Sequence, residues 1–223
     1  MAHTMDPEII YEDESIVVID KPAGIIVHPD GRHDYPALTA WLEKRYPEFH
    51  LVHRIDRETS GVLVVAKNVQ AFEFLKSQFQ NREIKKTYRA FVYGALKEER
   101  GIIDKPVGSA RGGSAPRSAK LPRGTTRDAL TAYRVIKNGA NVAYVEVFPK
   151  TGRTHQIRVH FSAIQHPIVC DSLYAPSRPA LLGFARLALH ALSLTFRHPS
   201  GKTVTFEAPL PPDFVEAEAR LRA

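Results

Sequence analysis

Ala129-Leu130-Thr131-Ala132-Tyr133-Arg134-Val135-Ile136-Lys137, then Asn138-Gly139-Ala140-Asn141, then Val142-Ala143-Tyr144-Val145-Glu146-Val147-Phe148, is the stretch that decides the fold class. Two runs rich in β-branched and aromatic residues flank an Asn-Gly pair. That pair favours a tight hairpin turn because its residues tolerate positive φ. The stretch predicts antiparallel neighbours over 129–137 and 142–148. A second hairpin is expected over 192–196 and 203–207, around His198-Pro199-Ser200-Gly201. Further strands are expected over 16–19, 62–66 and 86–93, with a resumed strand at 25–28 after the Lys21-Pro22-Ala23-Gly24 break. Helical spacing of Leu38, Trp41, Leu42 and Arg45 predicts a helix over 37–46, stopped by Pro47. Asn68 is a plausible N-cap for a helix burying Phe72, Leu75 and Phe79. A helix over 154–164 puts Ile157, Phe161 and Ile164 on one face, and a last one covers 213–221. Strands outnumber helices, and hairpins rather than helical crossovers join several of them. The fold class expected is α+β, with a mixed, mainly antiparallel sheet and flanking helices, not a doubly wound sheet.

The chain has 223 residues, of which 43% are apolar and 25% charged, the balance of a globular protein. No apolar run reaches the ~18 residues of a membrane span. With one cysteine, Cys170, neither an internal disulfide nor a Cys-based zinc finger is possible. Lys and Arg number 31 against 24 Asp and Glu, a net charge of +7 that favours a polyanionic partner such as nucleic acid. Residues 1–5 lack the apolar core of a signal peptide and read as a leader or cloning remnant. A single domain over 6–223 is expected, acting in the cytoplasm as a monomer. Residues 109–127 differ from the rest: Arg111, Arg117, Lys120, Arg123 and Arg127, no acids, three glycines and two prolines. No apolar period ties this segment to a core, so it reads as a long flexible basic loop attractive to phosphate.

Several motifs yield nothing. Gly201-Lys202-Thr203 lacks the earlier glycine of a phosphate loop, since Phe196 occupies that position, and it lies in a hairpin. His53-Arg54-Ile55-Asp56 is near a kinase catalytic loop, but the aspartate comes one residue late. His155, His160 and His166 are five and six apart, the wrong spacing for ligands on one helical face, so no metal site is expected. Ser60, His53 and Asp56 lack the nucleophile elbow of a hydrolase. What remains is 51–61, where Asp56 sits between Arg54 and Arg57 just before an apolar strand. Guanidinium groups beside a carboxylate favour its charged form, and a positioned carboxylate can act as nucleophile or base. A structural salt bridge above the Thr59-Ser60-Gly61 turn accounts for the same residues.

His53-Arg54-Ile55-Asp56-Arg57-Glu58-Thr59-Ser60-Gly61 closely resembles the H-R-L-D-x-x-T-S-G signature of RluA-type RNA pseudouridine synthases, with Ile55 for the commoner leucine. Lys21-Pro22-Ala23-Gly24 is similar to that family's K-P-x-G. Lys85-Lys86-Thr87-Tyr88 falls where its tyrosine-bearing strand falls. Thr151-Gly152-Arg153-Thr154-His155-Gln156-Ile157-Arg158-Val159-His160 matches its T-G-R-x-H-Q-I/L-R-x-H. Leu189-His190-Ala191 and His198-Pro199 match the C-terminal pattern. Order and number make the resemblance specific.

The resemblance implies the pseudouridine synthase fold with a central catalytic cleft, and isomerisation of uridine to pseudouridine in ribosomal or transfer RNA without a cofactor or metal. It implies that Asp56 is the essential catalytic residue. By the same resemblance Arg54 takes part in flipping the nucleotide out of its stack, Tyr88 stacks on the uracil, and Arg158 pairs with the catalytic aspartate. Planar stacking and a phosphate-binding fork suit Arg54 to this task. Lys85, Lys86 and Arg153, beside these motifs, are expected to contact phosphates. The extra N-terminal RNA-binding module common in the family is not expected here. A catalytically inactive RNA-binding protein of the same fold, or a hydrolase of the glycosidic bond, would share many of these features.

Overall fold

The computed structural model describes residues 6–29, 31, 33–110, 117–119 and 123–222. The expected leader, Arg111 and Lys120 lie outside the described residues, as does the side chain of Arg123. The chain forms two compact units: Met1–Lys86 with Ala191–Pro209, and Thr87–His190 with Leu210–Ala223.

In the first unit β1 (Glu8–Glu12) pairs antiparallel with β2 (Ile16–Lys21), and β2 with β4 (Ser60–Ala66). The short β3 (His50–Leu51) also pairs with β4. On the other side of β4 lies β12 (Leu189–Arg197), which carries β13 (Thr203–Glu207) as the expected hairpin partner. Every residue of β4 is buried, which is why 62–66 reads as an unbroken apolar run. The helix α2 (Val69–Gln80) begins as expected: Asn68 Oδ1 accepts the Ala71 N–H at 2.9 Å. Its Leu75 is buried, while Phe72 and Phe79 are half-buried and lie against His50 and His53.

Two expectations for this unit change. Residues 25–28 form no strand; Ile25, Ile26 and Val27 are buried in a loop that makes one bridge, Ile26 to Ala37. Burial alone produces the apolar run, and the carbonyls of Pro22 and Ile25 are bonded by a lysine instead of a ladder. The helix expected over 37–46 is only α1 (Leu38–Glu43), because the N–H groups of Arg45 and Tyr46 both turn onto the Leu42 carbonyl.

In the second unit β5 (Lys85–Tyr93, from Thr87 onward), β11 (Val142–Pro149), β10 (Leu130–Asn138) and β6 (Arg100–Asp104) lie in that order, each pair antiparallel. The hairpin forms as expected, but its turn comes one residue later: Asn138 still pairs with Ala143, the Gly139 N–H donates to the Val142 carbonyl at 2.8 Å, and neither Asn138 nor Gly139 takes the positive φ expected of the pair. Phe91 stacks on Tyr144 at 4.4 Å and meets Phe184 and Phe214, the latter from α4 (Pro212–Arg222). The helix α3 (Gln156–Ala163) buries all of Gln156, Ile157, Arg158, Val159, His160 and Phe161, far more than one amphipathic face.

The basic segment is not simply a loop. Its described parts form a three-stranded antiparallel sheet with β7 (Val107–Ser109) central, flanked by β8 (Arg117–Ser118) and β9 (Arg123–Arg127). Val107, Ala119 and Ala129 form a small apolar cluster with Val159 of α3. Three small contacts spread over two dozen residues make no period, so the anchoring does not show in the sequence.

Candidate active site

Asp56 stands half-buried in the link from β3 to β4. Its carbonyl accepts the Thr59 N–H at 3.1 Å, which turns the chain into β4. Gly61 then adopts φ +115° in the strand, and a Cβ there would overlap the carbonyl of Ala191. Only glycine suits both the torsion and the close approach.

Three contacts fix this loop. His53 Nε2 accepts the Val64 N–H at 3.1 Å, and the ring stacks on Phe79 at 4.7 Å. Burial, with the positive charge of Lys86 nearby, pushes the His53 pKa down to about 3, so the ring stays neutral and its proton sits on Nδ1. That commitment to backbone leaves His53 no role as base for Ser60. On the other flank Lys21 is 0% exposed, and its Nζ donates to the carbonyls of Pro22 (2.7 Å), Ile25 (3.0 Å) and Arg57 (3.3 Å). The Gly24 N–H donates to the same Arg57 carbonyl at 2.8 Å. The K-P-x-G loop is thus tied to the aspartate loop by a buried cation, a function that nothing in the local sequence of Lys21 discloses.

The two arginines flanking Asp56 point to different partners. Arg57 binds Glu58 at 2.7 Å and lies over the Tyr35 ring at 4.0 Å. Arg54 is exposed, with Nη1 at 3.3 Å from His28 Nε2. Lys85 is exposed, whereas Lys86 is half-buried and its ammonium pKa is lowered by that burial. All four, with Asp56, belong to the first unit.

Tyr88, Arg153 and Arg158 belong to the second. Tyr88 is half-buried on β5, opposite Val147 of β11. Arg158 is not the boundary residue its place in the sequence suggests: it is 4% exposed and forms a two-point ion pair with Asp171, 1% exposed, at 2.9 and 2.8 Å. Asp171 Oδ1 also accepts the N–H groups of Leu173 and Tyr174, and the Tyr174 ring lies 5.3 Å from the guanidinium. This cradle sets the arginine's orientation through charge-assisted bonds. Asp171 escapes sequence reasoning because it lies 13 residues from its partner. Arg153 is half-buried, with Nε donating to the Asp128 carbonyl at 3.1 Å.

A glycine-locked aspartate turn held by a buried lysine and a neutral histidine is paired, over residues 15–163, with a match to the RNA pseudouridylate synthase family model. The chain belongs to that family. Its members are isomerases that convert uridine to pseudouridine in RNA. An uncharacterized RNA pseudouridine synthase of Bacillus subtilis is 37% identical over 100% of this chain and 75% of its own length. A ribosomal large subunit pseudouridine synthase D of Pseudomonas aeruginosa is 38% identical over 100% of this chain and 74% of its own. The solved structure of human RNA pseudouridylate synthase domain containing 4 superposes with a TM-score of 0.79 at 27% identity, covering 96% of this chain and 93% of that one. The synthase fold and the α+β class expected from the hairpins are both met.

Proposed function

We propose that this synthase modifies uridine in ribosomal RNA, with Asp56 as its essential catalytic residue. The observation that carries the assignment is the contrast within the 53–61 loop: its flanks are immobilised by Lys21, His53 and Gly61, while Asp56 stays half-exposed. A carboxylate used only as a structural tie would have no need of such support, whereas one that meets a substrate atom must be held in place before the substrate arrives. Ribosomal RNA is favoured over transfer RNA by the names of the relatives in Pseudomonas aeruginosa and Vibrio cholerae.

In this reading Arg54, exposed beside the aspartate, reaches into the stack as the uridine leaves it. Tyr88 stacks on the extruded base, and Arg158 steadies the catalytic carboxylate. Lys85 and Arg153 meet phosphates; Lys86, partly withdrawn from water, does so less freely. Uridine and pseudouridine are isomers, so no electron or atom is gained or lost overall and we assign no cofactor or metal. We propose that both units act as one catalytic domain, since the family match runs through both, and that the protein works as a cytoplasmic monomer.

The test maps pseudouridines in cellular ribosomal and transfer RNA with and without the protein, then repeats the reaction in vitro with Asp56→Asn. The variant should lose at least about a thousandfold in rate, ~4 kcal/mol of barrier, while still binding RNA. A rate within about tenfold of the parent would overturn the assignment. RNA mass should not change, and release of free uracil would mark a hydrolase instead. A site confined to transfer RNA would overturn the choice of substrate.

A further inference from the structure

The three-stranded sheet β7–β9 is anchored at its root by a buried polar network whose donors and acceptors balance. Lys105 offers only a carbonyl, so His160 Nε2 must donate to it, at 2.9 Å. His160 Nδ1 then accepts from the Thr131 hydroxyl, at 2.9 Å. Thr131 Oγ1 in turn accepts from Gln156 Nε2 at 3.0 Å, and that amide nitrogen also donates to the Leu130 carbonyl at 3.1 Å. The Gln156 carbonyl oxygen accepts from the Thr151 hydroxyl at 2.6 Å and from the Arg153 N–H at 3.0 Å. Burial lowers the His160 pKa, which keeps the ring in the neutral form this pattern requires. The network holds the chain entering the small sheet at Lys105 and the chain leaving it at Leu130. A satisfied buried network of this kind is rigid.

The sheet held in this way walls a cleft of about 610 Å³, whose polar lining includes Ser109, Arg117, Thr125, Arg127, Arg153 and Thr154. Among the described residues, none that lines the cleft is acidic. Arg117 donates to the Ser109 hydroxyl at 3.0 Å and Arg153 to the Asp128 backbone carbonyl at 3.1 Å, both uncharged acceptors. Among the described residues, no carboxylate pairs with Arg117, Arg127 or Arg153. Three guanidinium groups on a fixed wall, interleaved with hydroxyls, repel one another unless an anion joins them. Their planar forks match phosphate oxygens in two-point bonds.

We propose that this cleft is a dedicated site for phosphodiesters of the substrate RNA, built by β7–β9 and by Gly152, Arg153 and Thr154 just ahead of α3. The inference rests on the reading of the protein as an RNA synthase and adds to it a contact that reads backbone rather than base. The arginines supply electrostatic affinity and register, while sequence choice lies elsewhere.

The test measures binding of a labelled hairpin RNA across a salt series. The parent is compared with Arg117→Gln/Arg127→Gln, with Arg153→Gln, and with Lys76→Gln/Lys202→Gln, which removes two exposed charges from the first unit. The cleft pair should bind about tenfold more weakly, with a slope of log affinity against log salt reduced by roughly 1.4–1.8, or about 0.7–0.9 per lost contact. Arg153→Gln should lose roughly half as much slope. The control pair should stay near the parent, and Arg117→Lys/Arg127→Lys should restore most of the slope. A cleft pair no different from the control pair overturns the proposal. So does a cleft that only binds inorganic phosphate, seen as a phosphate-dependent rise in Tm that the cleft variants lose while their RNA affinity is unchanged. Uridine conversion by the parent is scored in parallel. Conversion without a cleft effect sinks the cleft alone, and a cleft effect without conversion sinks the synthase reading alone.

Discussion

The aspartate loop at 53–61 and the root of the basic sheet are both polar segments held by a neutral histidine, and they are held in opposite senses. His53 accepts an N–H from Val64, eleven residues on. His160 donates to the carbonyl of Lys105, 55 residues back. The first bond closes a local turn and leaves Asp56 half-exposed within it. The second gathers distant chain ends and leaves a whole arginine-lined wall exposed. A local clamp suits a single reacting atom, which tolerates little displacement. A long-range clamp suits an extended surface, whose work is spread over several phosphates. If the comparison holds, damage to the loop changes turnover first, and damage to the root changes affinity and its salt dependence first.

The largest expected effect on stability comes from Lys21. Lys21→Met removes the cation that the carbonyls of Pro22 and Ile25 bond and leaves the Arg57 carbonyl with the Gly24 N–H alone. We expect a loss of about 3 kcal/mol or more in urea unfolding, with turnover falling far more than RNA affinity. A stability change below about 0.5 kcal/mol would show that the loop does not depend on this clamp.

Gln156→Met is the matching experiment on the other region. It removes the acceptor of the Thr151 hydroxyl and of the Arg153 N–H, while the Leu130 carbonyl keeps the Lys150 N–H. The expected cost is about 2 kcal/mol, with a reduced salt slope for RNA binding. An unchanged slope in a folded variant would mean that the root does not position the cleft, and the comparison would fail on that side.

The smallest effect at neutral pH is expected at His53. In the folded protein its pKa is about 3, against 6.5 for the free side chain. The unfolded chain therefore takes up a proton between those values that the folded one refuses. Stability is highest above pH ~6.5 and falls as the pH drops towards ~3. His53→Gln retains an acceptor for the Val64 N–H and has no proton to take up. Its unfolding free energy should stay within about 1 kcal/mol of the parent at pH 7 and fall less steeply below pH 6. Parallel curves for the two proteins would show that His53 carries no such penalty.

Much of the site was legible because it is built from near neighbours in the chain. Asp56, the turn at Thr59 and the need for Gly61 lie within six residues, and the motif identified them together. The hairpin at Asn138 was legible for the same reason. Arg158 was found by its motif, but its burial was not legible, since α3 is buried on nearly all sides and not only on the Ile157, Phe161 and Ile164 face that periodicity implies. Asp171 went unnoticed, and so did the tie from Lys21 to the Arg57 carbonyl, because the partners lie 13 and 36 residues away and no local pattern links them. The strand expected at 25–28 was an error of the same origin, for a buried loop and a buried strand have the same apolar composition.

By itself, then, the sequence determined the α+β class, the family, the aspartate turn and the excess of positive charge. Only the tertiary structure decided how that charge is used. That the described parts of 109–127 form a wall depends on three small apolar contacts and a chain of hydrogen bonds from Thr151 to Lys105. None of these has a period, and each is worth only about 1 kcal/mol. Their effect comes from closing together around one buried histidine, a condition set by the packing of α3 rather than by any stretch of sequence.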